Sequence, residues 1–502
     1  MDSMRRRHQI LNFTGVGGIG KSRLLQEVQG RLPATIPSAL LDLQVPGLRE
    51  PQDALATLRS QFGRQGIAFT RFDIAYAVLW QRLHPRLALS REGPDFVASS
   101  EVLTAVFDQA TGVPVFGSAA KLLDRAARAA KRWNSIRHDE TLQELDSLSL
   151  PQLSDAVTYL FASDIMQFDR PAVLFIDAYE ALVAGAFRTG RTAAVDAWLR
   201  DLAWQLSRGL VVVGSRERLD WQRYDPEWAQ IIDHVAIEGL PLSARLELLQ
   251  AIGVHDEDLS RSIARGSAGL PFFLHLARDS GDVKGSVVSP AAILERFLQH
   301  VDPADVRTLE LLSVARLFNE PVFKSLAASY NLPSHRLAWE SLVSYSFVLR
   351  AGAGNMRLHQ LMAQAMCTRL TSNAMDETHR LLSRAWNDVY AGATGAIAAI
   401  ALRESAYHAV RAGTADADAI LTYADRIKAV SAASGIEGLV ADLEEFTSEQ
   451  VRPDLKILIT CLQAEALVLH GDAESASHLT ETIPLETPDD EVRARLQLAA
   501  AH

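Results

Sequence analysis

Cysteine is nearly missing from this chain: two residues, Cys367 and Cys461, among 502. Two thiols so far apart make neither a disulfide framework nor a zinc site, and they point to a reducing compartment. Long apolar runs are missing too. A bilayer span needs about 18 consecutive apolar residues, and the best candidate, "AGATGAIAAIAL" at 391–402, is short and alanine-rich, the composition of a packed helix. Positive charge is in deficit: the formal net charge is −11, which argues against non-specific nucleic-acid binding as the main task. The opening "MRRRHQILNF" imitates a signal peptide, but its apolar part runs directly into a glycine-rich loop, so a cytoplasmic protein is expected. What remains is ordinary globular composition, 48% hydrophobic and 22% charged, in a chain long enough for several domains.

The glycine-rich stretch is "TGVGGIGKSRLL", Thr14 to Leu25. Gly15, Gly17 and Gly20 spell G-x-G-x-x-G, a dinucleotide fingerprint, and Asp42 stands where a ribose-binding acid would be expected. The same stretch also spells G-x-x-x-x-G-K-S, the more specific phosphate loop. Its context agrees: "QILNFT" before it reads as a buried parallel strand, and "SRLLQEVQGRL" after it reads as a helix. In such a loop the backbone amides of Gly15, Gly17, Gly18, Ile19, Gly20, Lys21, Ser22 and Arg23 curl around phosphate oxygens at a helix N-terminus. Lys21 reaches the β- and γ-phosphates, and Ser22 ligates Mg²⁺. A dinucleotide site has no use for that Lys–Ser pair, so the expected ligands are ATP or ADP with Mg²⁺.

A second acid is needed for the metal. In "RPAVLFIDAYEAL" at 170–182, Val173 to Ile176 reads as a central parallel strand that ends in Asp177. Asp177 is the expected Mg²⁺ partner of Ser22; the plainer reading is a cap for the following helix. Glu180 suits a general base for the attacking water, or equally an exposed glutamate in a first helical turn. Ala178 leaves no acid directly beside Asp177, so slow hydrolysis is expected. The next strand, within "GLVVVGSRE" at 209–217, ends in Ser215-Arg216, where Arg216 either touches the γ-phosphate or is a surface arginine.

The order of these motifs resembles the STAND class of P-loop NTPases, the signal-transduction ATPases with numerous domains that include the NB-ARC proteins. "GSAGLPFFL" at 266–274 is similar to the GLPL motif of that class, with Phe272 in place of the last leucine. "MRLHQLMAQAM" at 356–366 is similar to its MHD motif: His359 matches, while Leu358 and Gln360 replace the methionine and aspartate. The resemblance spans roughly residues 10–370. It implies an ATPase core, a small helical domain and a winged helix that clamp ADP in a closed, inactive state. It further implies that Pro271 packs near the adenine and that His359 contacts the β-phosphate. The residues alone also allow a helix-initiating proline at 271 and an ordinary core or surface histidine at 359. Members carry a Gly-Arg-rich segment well upstream of the loop; here 14 residues precede Gly15, Arg5–Arg7 among them. Arg5–Arg7 are a remnant of that segment or solvated charge, and the expectation is a cut chain, a start assigned late, or adenine binding weaker than in relatives.

The remainder reads mainly as helix. "FDIAYAVLWQRLHPRL" at 72–87 carries an apolar stripe in which Tyr76 and Trp80 are expected in the core rather than as a stacking platform. "AAKLLDRAARAAKRW" at 119–133 has a basic face of Lys121, Arg125, Arg128 and Arg132, expected to be solvated. "DHVAI" is the expected last strand, Pro241 opens the helical domain, and "SGDVKGSVVSP" near 280–290 reads as a linker. A Gly-rich turn at 352–354 fits a β-wing. "LQAEA" at 462–466 and "LQLAA" at 496–500 repeat at 34 residues, the period of tetratricopeptide hairpins, and the array is expected to be truncated.

The expected fold class is therefore an α/β P-loop NTPase core with a parallel sheet, then a small helical domain, a winged helix and α-helical repeats. The expected boundaries are 1–238, 239–285, 286–372 and 373–502. The expected function is an ATP/ADP-controlled signal-transduction switch with slow ATPase activity. It would be closed with ADP and would form a homo-oligomer with ATP, triggered by a protein partner or ligand on the repeats, with no membrane and no nucleic acid involved. Two alternatives stay open: an ATP-dependent transcriptional regulator, and a non-hydrolysing nucleotide-bound scaffold.

Overall fold

The computed structural model describes residues 9–84, 99–108, 119–129, 138–183, 195–279, 290–434, 439–447, 451–469 and 473–481. Arg5–Arg7, the stretch 280–289 and the second copy of the 34-residue repeat lie outside them, as does Arg132; of the basic face, only the Arg125 side chain is described.

Residue contacts divide the chain into two units. The first holds Met1–Asn12, Leu25–His234 and Asp416–His502; the second holds Phe13–Leu24 and Val235–Ala415. The division cuts one helix and two strands: α1 (Lys21–Arg31), β1 (Gln9–Thr14) and β5 (Ile232–Ala236).

The apolar runs expected to be strands form one five-stranded sheet. With β2 at Ser38–Asp42, β3 at Val173–Asp177 and β4 at Leu210–Ser215, its order is β2-β3-β4-β1-β5. β2 pairs parallel with β3, and β3 parallel with β4. The bonds Ile10 N–H to Ile231 O (3.0 Å) and Ile237 N–H to Thr14 O (2.7 Å) ascend together, which makes β1 and β5 parallel as well. Every residue of β3 is buried, as a strand covered on both faces requires. Asp42 and Asp177 stand opposite each other in register, so both carboxylates leave the sheet at its C-terminal edge, where open α/β sheets present their ligand-binding residues.

Six helices among the described residues occupy the long insert between β2 and β3: α2 (Pro51–Gly63), α3 (Thr70–Leu83), α4 (Glu101–Asp108), α5 (Ala119–Ala129), α6 (Glu140–Glu144) and α7 (Leu150–Gln167). Phe161 of α7 stacks on Phe69 at 5.1 Å and meets Phe72 edge-on at 5.2 Å, and Tyr76 and Trp80 are buried in the same core. Burial there is bought with polar pairing. Arg59 grips Asp73 through both carboxylate oxygens (2.8 and 2.7 Å), and Asp164, pushed up to about 7 by burial, accepts the Arg71 and Phe72 amides at the start of α3. Between β3 and β4 lies α8 (Ala197–Gln205).

The first unit also takes in α19 to α22, at Ala417–Ser434, Leu439–Phe446, Pro453–Leu469 and Ala473–Glu481. Glu445 of α20 pairs with Arg49 at 2.8 Å, and Arg49 donates onward to the Leu43 and Gln44 carbonyls just after β2.

In the second unit α9 (Leu242–Ala251), α10 (Glu257–Gly266) and α11 (Pro271–Asp279) come first, with Pro241 as the residue before α9. Then follow α12 (Pro290–His300), α13 (Pro303–Leu312), α14 (Glu320–Ser329) and α15 (Arg336–Ser344). The strands β6 (Val348–Arg350) and β7 (Met356–Leu358) form an antiparallel hairpin. Its turn holds Gly352, Ala353 and Gly354 in the left-handed region, which explains the two glycines. Next come α16 (Gln360–Cys367), α17 (Ser372–Ala391) and α18 (Gly395–Arg411). No helix of the described residues is long and apolar enough to cross a membrane.

Candidate functional site

The glycine loop belongs to the second unit, and its glycines are not equivalent. Gly18 and Gly20 adopt φ of +80° and +99°, left-handed values that strain any other residue. Gly15 is required by close approach, because a Cβ there would lie 2.9 Å from the Ile237 carbonyl oxygen. Among the described residues, its own chain neighbours aside, none has an atom within 4 Å of the place a Gly17 Cβ would occupy. A methyl at Gly17 would therefore meet no described neighbour. The α1 helix starts at Lys21, whose buried ammonium donates to the Gly15 carbonyl at 2.6 Å and the Val16 carbonyl at 3.1 Å. Ser22 and Arg23 follow in the first helical turn, Ile19 is buried beneath the loop, and Val16 is exposed at its tip. Burial lowers the pKa of His275 on α11, helped by the Arg278 charge and, to a smaller extent, by that of Arg23.

These features fit a nucleotide's phosphates: left-handed glycines, a helix N-terminus and a lysine held at the loop. They also set up a test that separates the glycines. Gly20→Ala should cost about 1–2 kcal/mol of stability, the strain of a left-handed alanine, and Gly18→Ala at least as much, because its methyl would also have to displace Leu361 Cδ1 at 2.7 Å. Gly17→Ala should leave the melting temperature unchanged, because its methyl meets no described neighbour and Gly17 has no positive φ, and it should weaken nucleotide binding if phosphate packs on that backbone. Thermal melts with and without ADP separate the two effects.

Pro271 and His359, far downstream in sequence, lie beside this loop within the second unit. The Cβ position of Gly20 is 3.9 Å from Pro271 Cγ, and that of Gly18 is 3.5 Å from His359 Cε1 and 2.7 Å from Leu361 Cδ1. Pro271 is also the first residue of α11, so the helix-initiating reading describes its local geometry. The approach of its segment depends on glycine: Gly269 (φ +80°) packs on Gly239, where a Cβ would be 2.9 Å from the Gly239 Cα, and the Leu240 amide donates to Gly269 O at 2.9 Å. His359 joins β7 to α16 and caps that helix, its Nδ1 accepting the Leu361 amide at 3.3 Å. Burial, with the nearby Arg357 charge, lowers its pKa to about 4.

Asp177, Glu180 and Arg216 belong to the first unit. Asp177 ends β3 and is buried; its Oδ1 accepts the Ala178 amide at 2.9 Å, and a Cβ on Gly214 of β4 would come within 3.2 Å of that oxygen. Ala178 itself adopts φ +57°, which turns the chain sharply just after the acid. Glu180 and Arg216 hold each other: Arg216 donates its Nε to Glu180 Oε1 at 3.2 Å and its amide to Oε2 at 3.3 Å. Asp42 closes a turn by accepting the Gln44 amide at 3.0 Å. Among the described residues no group of three or more His, Cys, Asp or Glu side chains could hold a metal. A Mg²⁺ ion needs no such cage, because phosphate oxygens and water fill most of its sphere.

Two networks in the first unit were not visible in the sequence. Asn12 is fully buried and makes four hydrogen bonds. It donates to Val213 O (3.3 Å) and Ser215 Oγ (2.8 Å), and it accepts from the Leu219 amide (3.2 Å) and His234 Nδ1 (2.8 Å). It ties β1 to β4 and β5 and supports the strand tip that carries Arg216. Tyr179, between Asp177 and Glu180, donates to Asp196 at 2.5 Å and accepts from Trp221 Nε1 at 2.8 Å, which fixes the turn after β3. The one signal for Asn12 was a polar residue inside an otherwise apolar strand, since such a group must find partners.

No family model matches this chain, and no curated protein matches it. Among solved structures it is similar to a signal transduction ATPase with numerous domains from Pyrococcus horikoshii, described as carrying a tetratricopeptide repeat sensor. The identity is 12%, the TM-score 0.49, and the match covers 99% of this chain and 64% of that one. This chain therefore spans less than two thirds of the length of that protein.

Proposed function

We propose that the protein is an ATP/ADP-controlled signal-transduction switch with slow ATPase activity. The observation that carries this reading is the gathering of Pro271 and His359 beside the glycine loop in one contact unit. A lone phosphate loop would serve any NTPase. A loop backed by residues from about 250 and 340 positions downstream ties nucleotide occupancy to the C-terminal half of the unit.

In this reading the loop amides and Lys21 bind the phosphates, Ser22 and Asp177 are the Mg²⁺ ligands, Pro271 packs near the adenine and His359 contacts the β-phosphate. Bound Mg²⁺ supplies charge neutralisation for phosphoryl transfer. Arg216 senses the γ-phosphate, and Glu180 orients the attacking water once their mutual pairing parts. The segments 1–238, 239–285, 286–372 and 373–502 act as ATPase core, helical domain, winged helix and repeat sensor. ADP favours a closed monomer; a protein or ligand on the repeats weakens closure, and ATP favours an open, oligomerising form. A swing from mostly closed to mostly open needs about 5 kcal/mol of combined bias.

The test is molecular mass in each nucleotide by sedimentation. The expected result is a monomer with ADP and a larger species with ATP plus Mg²⁺; a monomer with both nucleotides removes the switch. One observation favours a second reading, the non-hydrolysing scaffold: Ala178 follows Asp177, and Glu180 is engaged by Arg216. Phosphate release that is nil in the wild type and unaltered by Asp177→Ala would select the scaffold.

A further inference from the structure

The aspartate that follows the histidine in the resembling motif is Gln360 here, and the leucine that ends the other motif is Phe272. The structure sets the second of these departures against the motif histidine itself. Phe272 and His359 are stacked, with ring centroids 4.4 Å apart and planes 25° from parallel. We infer that Phe272 is a positioning residue for His359 and that it sets the preference of the site for a nucleoside diphosphate over a triphosphate. The inference rests on the proposed role of His359 at the β-phosphate.

The geometry constrains the imidazole on several sides. Its Nδ1 accepts the Leu361 amide, so in the neutral ring the proton sits on Nε2. Its backbone amide donates to Phe347 O at 2.7 Å, which fixes the main chain at the end of β7. Those bonds set position and tautomer but leave the ring plane free to tilt about the helix-capping bond. The Phe272 face removes that freedom. Phe272 is anchored in turn: it is the second residue of α11, it is 91% buried, and it packs edge-on against Phe273 at 5.0 Å. Its Cε1, which is bonded to Nε2, lies 3.5 Å from the Gly18 Cβ position. Burial keeps the ring neutral near pH 7, so it offers one directional N–H donor rather than a diffuse charge. A single donor distinguishes a terminal from a bridging phosphate only if its direction is fixed, and direction is what a stacked ring supplies. Leucine at position 272 would fill volume without a flat face.

The experiment uses the full chain stripped of nucleotide, with ADP and ATP affinities measured by calorimetry in Mg²⁺. Phe272→Leu should weaken ADP about tenfold, the effect of misaligning one hydrogen bond to a charged group, while ATP changes little. Phe272→Tyr keeps the stacked face and should retain the wild-type ratio. In a His359→Gln background, Phe272→Leu should have no further effect on ADP, since coupled residues lose their effect together. In the nucleotide-free protein, the His359 ring protons should move downfield in Phe272→Leu as the ring-current shift is lost. Equal weakening of both nucleotides, or an additive double variant, overturns the inference and leaves the switch reading standing. A wild-type protein that binds neither nucleotide overturns that reading and the inference with it.

Discussion

Lys21→Ala lowers the affinity for ADP and ATP by about a hundredfold, roughly 2.7 kcal/mol. Three features make this the largest functional effect. The ammonium is buried at the mouth of the loop, so its interaction with phosphate is poorly screened by solvent. It is already held at the loop by the Gly15 and Val16 carbonyls, so little side-chain entropy is lost when it turns to a ligand. Hydrogen bonds from ammonium to phosphate are of the charge-assisted kind, about twice as strong as neutral ones. Thermal melts provide the control. Wild-type protein at ADP concentrations about a hundred times Kd gains about 2.7 kcal/mol of stability, whereas Lys21→Ala gains only about 0.4 kcal/mol at the same concentration. An identical ADP-induced shift in both proteins would count against the assignment.

Asn12→Leu has the largest expected effect on stability, a loss of about 3 kcal/mol. The side chain fits, but four partners lose their bonds together: Val213 O, Ser215 Oγ, the Leu219 amide and His234 Nδ1. The Leu219 amide cannot find a replacement in a buried position, and an orphaned buried amide costs about 1–3 kcal/mol alone. Urea unfolding followed by tryptophan fluorescence reads the change, because Trp221 is buried two residues beyond Leu219. The variant should also detach Arg216 from its setting, since Ser215 is the residue before it. A loss under about 0.5 kcal/mol, the level of an ordinary surface substitution, would show that the network contributes nothing.

Much of the core was legible because its signals are local. "QILNFT", "VLFID" and "VVVGS" are apolar runs of strand length, and they became β1, β3 and β4. A helix directly after the loop was read from Ser22, one residue beyond its start at Lys21, and the turn at 352–354 follows from its glycines. The carboxylate of Asp177 was placed at the C-terminal edge of the sheet by the end of an apolar run. What escaped depends on contacts between residues remote in sequence. Nothing near Asn12 announces Ser215 or His234, about 200 positions away; nothing near Phe272 announces a stacking partner at 359; nothing near Arg49 announces Glu445. Periodicity reports which face of an element is buried, not what covers it. The pairing of Glu180 with Arg216 was hidden for the same reason: each was read against a ligand, and neither against the other.

The central claim is that the loop from Gly15 to Ser22 encloses the phosphate tail of a nucleotide. Calorimetric titration of ATP and ADP into the nucleotide-stripped full chain with Mg²⁺, beside Lys21→Ala, tests it most directly. The account predicts saturable binding at one site in the wild type and a hundredfold weaker isotherm in the variant. No heat of binding in the wild type, or the same isotherm in both proteins, would contradict it.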